Sequence, residues 1–146
     1  MYILVLESST SSAKAMLYST DDGVITVKTK AYLPQYNDIE TQDTEGVFIQ
    51  TAEIGREVAA GYDISAISLC GTWHSLVVCD KSMHPKTRTL SWTYTGASDV
   101  AKKLREDKEF VNNFYQKTGC MVNPTYPVFK LLNLKEQGLS MDNSYI

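Results

Sequence analysis

The sequence has no apolar run approaching the ~18 residues that a membrane-spanning helix requires, so nothing in it reads as a bilayer span. Its N-terminus, MYILVLESST, lacks a basic flank and turns polar too early for a secretory leader. Charge of one sign is missing too. The formal net charge of -3 is small and no block of like charges occurs, which argues against a polyanionic partner such as nucleic acid. Cysteines are few: Cys70, Cys79 and Cys120 cannot all pair and are not spaced as a zinc site, so reduced thiols are expected. There is no G-x-G-x-x-G, no Walker A sequence, no internal repeat and no low-complexity stretch. Together these absences predict a cytoplasmic chain whose partners include neither membrane nor nucleic acid.

What remains suits one α/β domain. Of 146 residues, 43% are hydrophobic, enough for an ordinary core. Tyr2 to Leu6 is a continuous apolar run, expected to be a strand buried on both faces. After the polar cluster Glu7–Ser12, Ala13 to Tyr18 reads as a second strand, and Asp21, Asp22 and Gly23 as a hairpin turn. Val24 to Leu33 reads as a third strand, which completes an antiparallel meander. Pro34 to Thr41 reads as a loop. Asp43 or Thr44 could cap a helix running to about Ala60, with Val47, Ile54 and Val58 on its inner face and Gly61 after its end. Further strands are expected at Ile64–Cys70, Leu76–Cys79 and Thr89–Thr95. Ser98 could cap a short helix, Phe110 to Tyr115 forms an apolar stripe ending at Gly119, and Pro127 suits the first position of a last helix. The order of elements predicts a mixed sheet rather than a strict alternation of strand and helix.

Four segments could carry chemistry. In VLESSTSSAKAML, hydroxyls and N–H groups crowd a tight turn that could grip phosphate oxygens. Glu7 could hold a magnesium ion directly or through water, and Lys14 follows seven residues later. The same residues also make an ordinary serine-rich turn with a solvated carboxylate. In LCGTWHSLVVCD, Trp73 and His74 follow a strand end, where an open sheet binds ligands; they could pack against and hydrogen-bond a polyol, or be a core tryptophan beside a structural histidine. Trp92 and Tyr94 in SWTYTGAS could line the same pocket or pack on a half-buried strand. Asn123, Thr125 and Tyr126 precede a helix start and could donate hydrogen bonds to a ligand or simply begin the helix. His84 reads as a surface residue in a turn.

In order and spacing these four segments resemble the N-terminal domain of FGGY carbohydrate kinases, the gluconate kinase and xylulokinase branch in particular. ILVLESSTSSAKAML is similar to that family's opening hairpin, CGTWHSLVVCDKSMHP to its sugar-contacting loop, LSWTYTGAS to its tryptophan-containing sugar segment, and TGCMVNPTYPVFKLLNLKE to a stretch with a Pro and a Lys inside an apolar helix. The resemblance implies a ribonuclease H-like, actin-like fold. It implies ATP-dependent phosphorylation of a sugar or sugar acid with Mg2+, chemistry in which protein groups mainly position reactants and neutralise charge. It places Glu7 at the metal, Thr10, Ser11 and Lys14 on the nucleotide side, and Trp73, His74, Trp92, Tyr94, Thr125 and Tyr126 around the substrate. Glu7, Ser9, Tyr94 and Gly96 depart from the family's Asp, Gly, Asp and Arg.

The resemblance also implies a longer enzyme. Residues 1–146 are expected to be the truncated N-terminal portion of a first domain, the second domain being absent, with the catalytic Asp beyond residue 146 and little turnover from the chain alone. Tyr145 and Ile146 read as the start of another apolar element. A non-catalytic sugar-binding or partner-binding remnant is the alternative, and a homodimer is compatible with either. Both readings require the serine-rich bend and the Trp73–His74 pair to leave the same end of the sheet.

Overall fold

A computed structural model describes residues 1–146. The chain divides into two compact units, Met1–Asp38 with Gln42–Trp73, and Ile39–Thr41 with His74–Ile146. The architecture is α/β and ribonuclease H-like, as the family resemblance implies.

In the first unit, β1 (Tyr2–Ser8), β2 (Ser12–Ser19) and β3 (Gly23–Ala31) form the expected meander. Strand β5 (Ile64–Gly71) joins it, giving the order β3-β2-β1-β5. Strand β1 is antiparallel to β2 and parallel to β5, so the sheet is mixed. The two-residue β4 (Thr41–Gln42) precedes helix α1 (Thr44–Ala59). The helix starts where the sequence signals it: the Asp43 carboxylate accepts from the Gly46 N–H at 2.7 Å, satisfying a donor that the helix itself cannot. Its inner stripe of Val47, Ile54 and Val58 packs on Leu4, Ala13, Ala15 and Leu17, residues two apart on their strands. Removing the cap by Asp43→Ala should lower the stability of this unit by ~1 kcal/mol, read as a lower thermal midpoint.

Burial of the sheet differs from expectation. Within Tyr2–Leu6 only Leu4 is buried, so β1 is not sealed on both faces. Strand β5 ends the sheet, and its Ile67 and Leu69 are 61% and 77% exposed. Register pairs them with Leu4 and Leu6, and α1 reaches Leu4 but leaves the neighbouring lane over β5 bare.

The second unit corrects two predicted strands. Instead of Leu76–Cys79 and Thr89–Thr95, only β6 (Cys79–Asp80) and β7 (Thr89–Leu90) are regular. A lone antiparallel bridge joins Leu76 to Leu90. The apolar residues are there, but only Cys79 and Thr89–Leu90 join two-residue ladders, while Val78 bonds to the intervening turn, its N–H to the Thr87 hydroxyl and its carbonyl to the Lys86 N–H. Helix α2 (Ser98–Glu106) begins one residue earlier than a Ser98 cap would require: Ala97 holds the cap position without a side-chain bond. Helix α3 (Lys108–Thr118) is capped by the Asp107 carboxylate on the Phe110 N–H. It ends at Gly119 with φ 68°, left-handed backbone that glycine adopts without a Cβ clash. Helix α4 (Pro127–Glu136) opens on Pro127 as expected, and β8 (Ser144–Tyr145) pairs antiparallel with β6. Two small cores result. Leu76, Val78, Leu90 and Leu134 form one, and Ala97, Ala101, Val122 and Phe129 the other, where the Phe129 ring lies 5.5 Å from that of Phe114. All three cysteines are free thiols.

Candidate functional site

The bend between β1 and β2 is built from its own serines. The Ser9 N–H donates to the Ser12 carbonyl at 3.0 Å, and the Ser9 hydroxyl donates to the same oxygen at 2.8 Å. Ser9 thus turns inward, and Thr10 and Ser11 make the tip. Ser11 is exposed and lends its carbonyl to the Tyr32 N–H. Beneath the tip lies Gln42, only 5% exposed, whose amide nitrogen donates to the carbonyls of Ser9 (3.2 Å) and Thr10 (2.9 Å) and to Asn37 Oδ1 (3.0 Å). This brace was not legible in the sequence, because nothing local marks a glutamine 32 residues away as the support of a turn. With two carbonyls of the tip drawn down onto Gln42, the outward surface of the bend is left to hydroxyls and N–H groups, the chemistry an anion requires.

Glu7 and Lys14 lie directly opposite each other in the β1–β2 register, and Lys14 Nζ donates to Glu7 Oε1 at 2.8 Å. The sequence reading placed both on the nucleotide side; the structure brings them into contact. The pair is over a third exposed at each end, so it adds little stability, well under ~1 kcal/mol. No cluster of three or more His, Cys, Asp or Glu side chains is gathered in the chain. A magnesium ion held at this end of the hairpin would take Glu7 as one carboxylate and water and phosphate oxygens for the rest, the usual manner for this ion, rather than an all-protein cage.

Trp73 follows β5 at the same end of the sheet as the bend. Ser8 and Gly71 are register partners, and the Thr72 hydroxyl donates to the Ser8 carbonyl at 3.2 Å. Its ring is 82% exposed.

In the second unit, His74 adopts φ 61°, a conformation that costs a side-chain-bearing residue of order 1–3 kcal/mol and is kept only where the surroundings impose it. The imposing groups are close. The His74 ring lies 5.1 Å from the Tyr126 ring, tilted by 57°, so two predicted substrate residues from distant segments meet. The adjacent Ser75 hydroxyl is buried with no hydrogen-bond partner, an acceptor and donor still to be satisfied at this spot. Trp92 is 49% exposed. The Tyr94 ring folds onto the Leu76–Leu134 core and its hydroxyl accepts from Asn133 Nδ2 at 3.1 Å, so its polar end is engaged by α4. The Thr125 N–H donates to Asn123 Oδ1 at 3.0 Å, which shapes the turn into α4 and holds Thr125 beside Tyr126.

Lys130 is a residue that composition alone would place at the surface. It is fully buried, and Nζ donates to the carbonyls of His74 (2.6 Å) and Ser91 (2.5 Å). Burial without a carboxylate partner depresses its pKa to about 8. Elsewhere, a groove of about 320 Å³ is lined by Arg105, Lys108, Val111, Asn112 and Tyr115.

Comparison with known proteins follows the same segments. The family model for the N-terminal domain of FGGY carbohydrate kinases matches residues 2–141. The gluconokinase of Bacillus licheniformis is 27% identical over 136 residues, which cover 89% of this chain and 26% of that protein. Glycerol kinase 1 of Thermotoga maritima is 24% identical over 140 residues, 90% of this chain and 28% of its own length. Among solved structures, gluconate kinase from Lactobacillus acidophilus superposes with a TM-score of 0.81 at 25% identity, covering 93% of this chain and 28% of that one. Ligand-bound xylulose kinase from the same organism gives the same TM-score, identity and coverage. The chain thus spans little more than a quarter of the length of these relatives.

Proposed function

This chain belongs to the FGGY family of carbohydrate kinases, as its N-terminal domain, and from that premise we propose that it serves ATP-dependent phosphorylation of a sugar or sugar acid of the gluconate or xylulose class. In this reading the first unit meets the nucleotide phosphates and the second meets the sugar. The observation that carries it is the β1–β2 hairpin: an anion-ready tip braced from below by Gln42, with a carboxylate and an ammonium paired across the strands behind it.

Each residue then has a task. Thr10 and Ser11 present donors to phosphate oxygens. Lys14, already paired with Glu7, can turn its ammonium toward a phosphate as the carboxylate is drawn to the metal, an exchange of partners between two half-exposed groups. A bound magnesium ion would neutralise charge building on the transferring phosphoryl group. Trp92 offers an exposed aromatic face to the C–H surface of a polyol, while His74 and Tyr126 offer polar edges to its hydroxyls. The base that accepts the substrate's hydroxyl proton is expected from sequence outside these 146 residues, so the chain by itself should bind without turning over.

Titration of the purified chain with gluconate, xylulose and glycerol, followed by tryptophan emission, tests this. Saturable binding of at least one, weakened tenfold or so by His74→Ala, is expected; about 1.4 kcal/mol corresponds to one good hydrogen bond to a ligand hydroxyl. No saturable binding of any of the three would sink the sugar assignment. On the nucleotide side, Glu7→Gln should weaken the magnesium dependence of ATP binding while changing stability by under ~1 kcal/mol.

A further inference from the structure

The two loops that carry the proposed sugar contacts are held apart by one buried side chain. The segments around Leu76 and Leu90 pair through a single antiparallel bridge, with the Leu76 N–H to Leu90 carbonyl at 3.0 Å and the reverse at 2.7 Å. Beyond that bridge the segments diverge. A continuing ladder would have brought the Trp92 N–H to the His74 carbonyl, whereas the Ser91 carbonyl, one residue past a hydrogen-bonded pair, faces away from that ladder. Instead the carbonyls of His74 and Ser91 both accept from Lys130 Nζ, which reaches them from α4, 56 and 39 residues away. One turn further along the same helix, Asn133, 7% exposed, donates to the Tyr94 hydroxyl. Two polar side chains of one helix face thus hold both loops.

A lysine is a costly choice for this position. A fully buried amine with only neutral acceptors gains no ion-pair energy, and an apolar residue of similar size would avoid its desolvation. An apolar residue would, however, leave two inward-facing carbonyls without a donor and remove the restraint on His74 at φ 61°. What the lysine supplies is geometry.

We propose that Lys130 is a positioning residue, standing in for the missing ladder donor at His74 and tying it to the Ser91 carbonyl where the two segments part, and so setting the separation of the His74 and Trp92 loops. The consequence for substrate rests on the sugar-binding role proposed above; the clamp itself does not.

The test compares Lys130→Met with Leu134→Ala, which weakens the same helix through the neighbouring core, by amide hydrogen exchange. In Lys130→Met the Leu76 and Leu90 amides should exchange about tenfold faster or more, while Ala101 in α2 and Val111 in α3 keep wild-type rates; tenfold corresponds to one lost hydrogen bond. In Leu134→Ala all four should quicken together. Gluconate, xylulose or glycerol, whichever the wild type binds, should bind Lys130→Met about tenfold more weakly at a temperature where both proteins are folded. Unchanged or uniformly raised exchange in Lys130→Met overturns the clamp. If the wild type binds none of the three sugars the functional reading falls, and the exchange pattern still decides the clamp. Should Lys130→Met fail to fold, wild-type chain labelled with 15N-lysine decides: the Lys130 Nζ protons should persist where those of the other lysines exchange away, and their equally fast loss refutes the arrangement.

Discussion

Raising the pH from about 8 to about 10.5 should stabilise this chain by about 3 kcal/mol through Lys130 alone. In the folded chain, burial lowers the pKa of Lys130 from 10.5 to about 8. Below pH 8 both folded and unfolded chains hold the proton, and folding must carry a charged amine into the core. Between the two values the unfolded chain still binds a proton that the folded chain has released, so stability climbs with pH; above 10.5 both forms are neutral and the gain levels off. The neutral amine keeps two N–H donors, as many as the two carbonyls it serves. Denaturant unfolding between pH 7 and 11, taken as wild type minus Lys130→Met, removes the common titration of tyrosines and other lysines. The difference should rise with pH, with its midpoint in that window. A flat or falling difference would show that Lys130 is solvated and its bonds weaker than the geometry indicates.

Placing a methyl group at Gly96 should destabilise the second unit by about 2–3 kcal/mol, the upper range for overpacking. A Cβ there would lie 2.2 Å from the Tyr94 hydroxyl oxygen and 2.4 Å from the ring carbon that bears it. A free tyrosine would swing aside. This one is held by Asn133 and packed among Leu76, Val78, Leu90 and Leu134, so moving it breaks a part-buried hydrogen bond and opens the core. In a Tyr94→Ala background, which has its own cost, Gly96→Ala should then be nearly neutral, giving a coupling of about 2 kcal/mol across the four proteins, within the range for residues in direct contact. Equilibrium unfolding of all four measures it, and additive effects would refute the steric account.

This second case shows what the sequence could and could not reveal. Tyr94 and Gly96 were both visible as departures from the family's charged pair. That they form a single change, a ring filling the space beside a missing side chain, depends on coordinates. Elements with local signals were legible: the meander with its Asp21–Gly23 turn, α1 behind the Asp43 cap, α3 ending at Gly119, α4 opening on Pro127. Leu76–Cys79 and Thr89–Thr95 misled because their pairing is short and its partners lie far along the chain, Leu90 for Leu76 and Tyr145 for Cys79. Gln42 and Lys130 escaped for the same reason. A buried polar group whose partners lie dozens of residues away leaves no periodic trace. Of the predicted site residues, Glu7 with Lys14 and His74 with Tyr126 proved to be contacts, and the spacing of the segments alone could not have paired them.

The open flank of β5 has a further bearing on how this polypeptide behaves in company. Its outer row of amides and carbonyls, beside the uncovered Ile67 and Leu69, is the kind of template onto which foreign strands stack. In a concentrated or warm solution, productive screening of that flank competes with fibrous growth along it. The exposed thiol of Cys70 sits on the contested strand, so its accessibility follows whichever process gains ground.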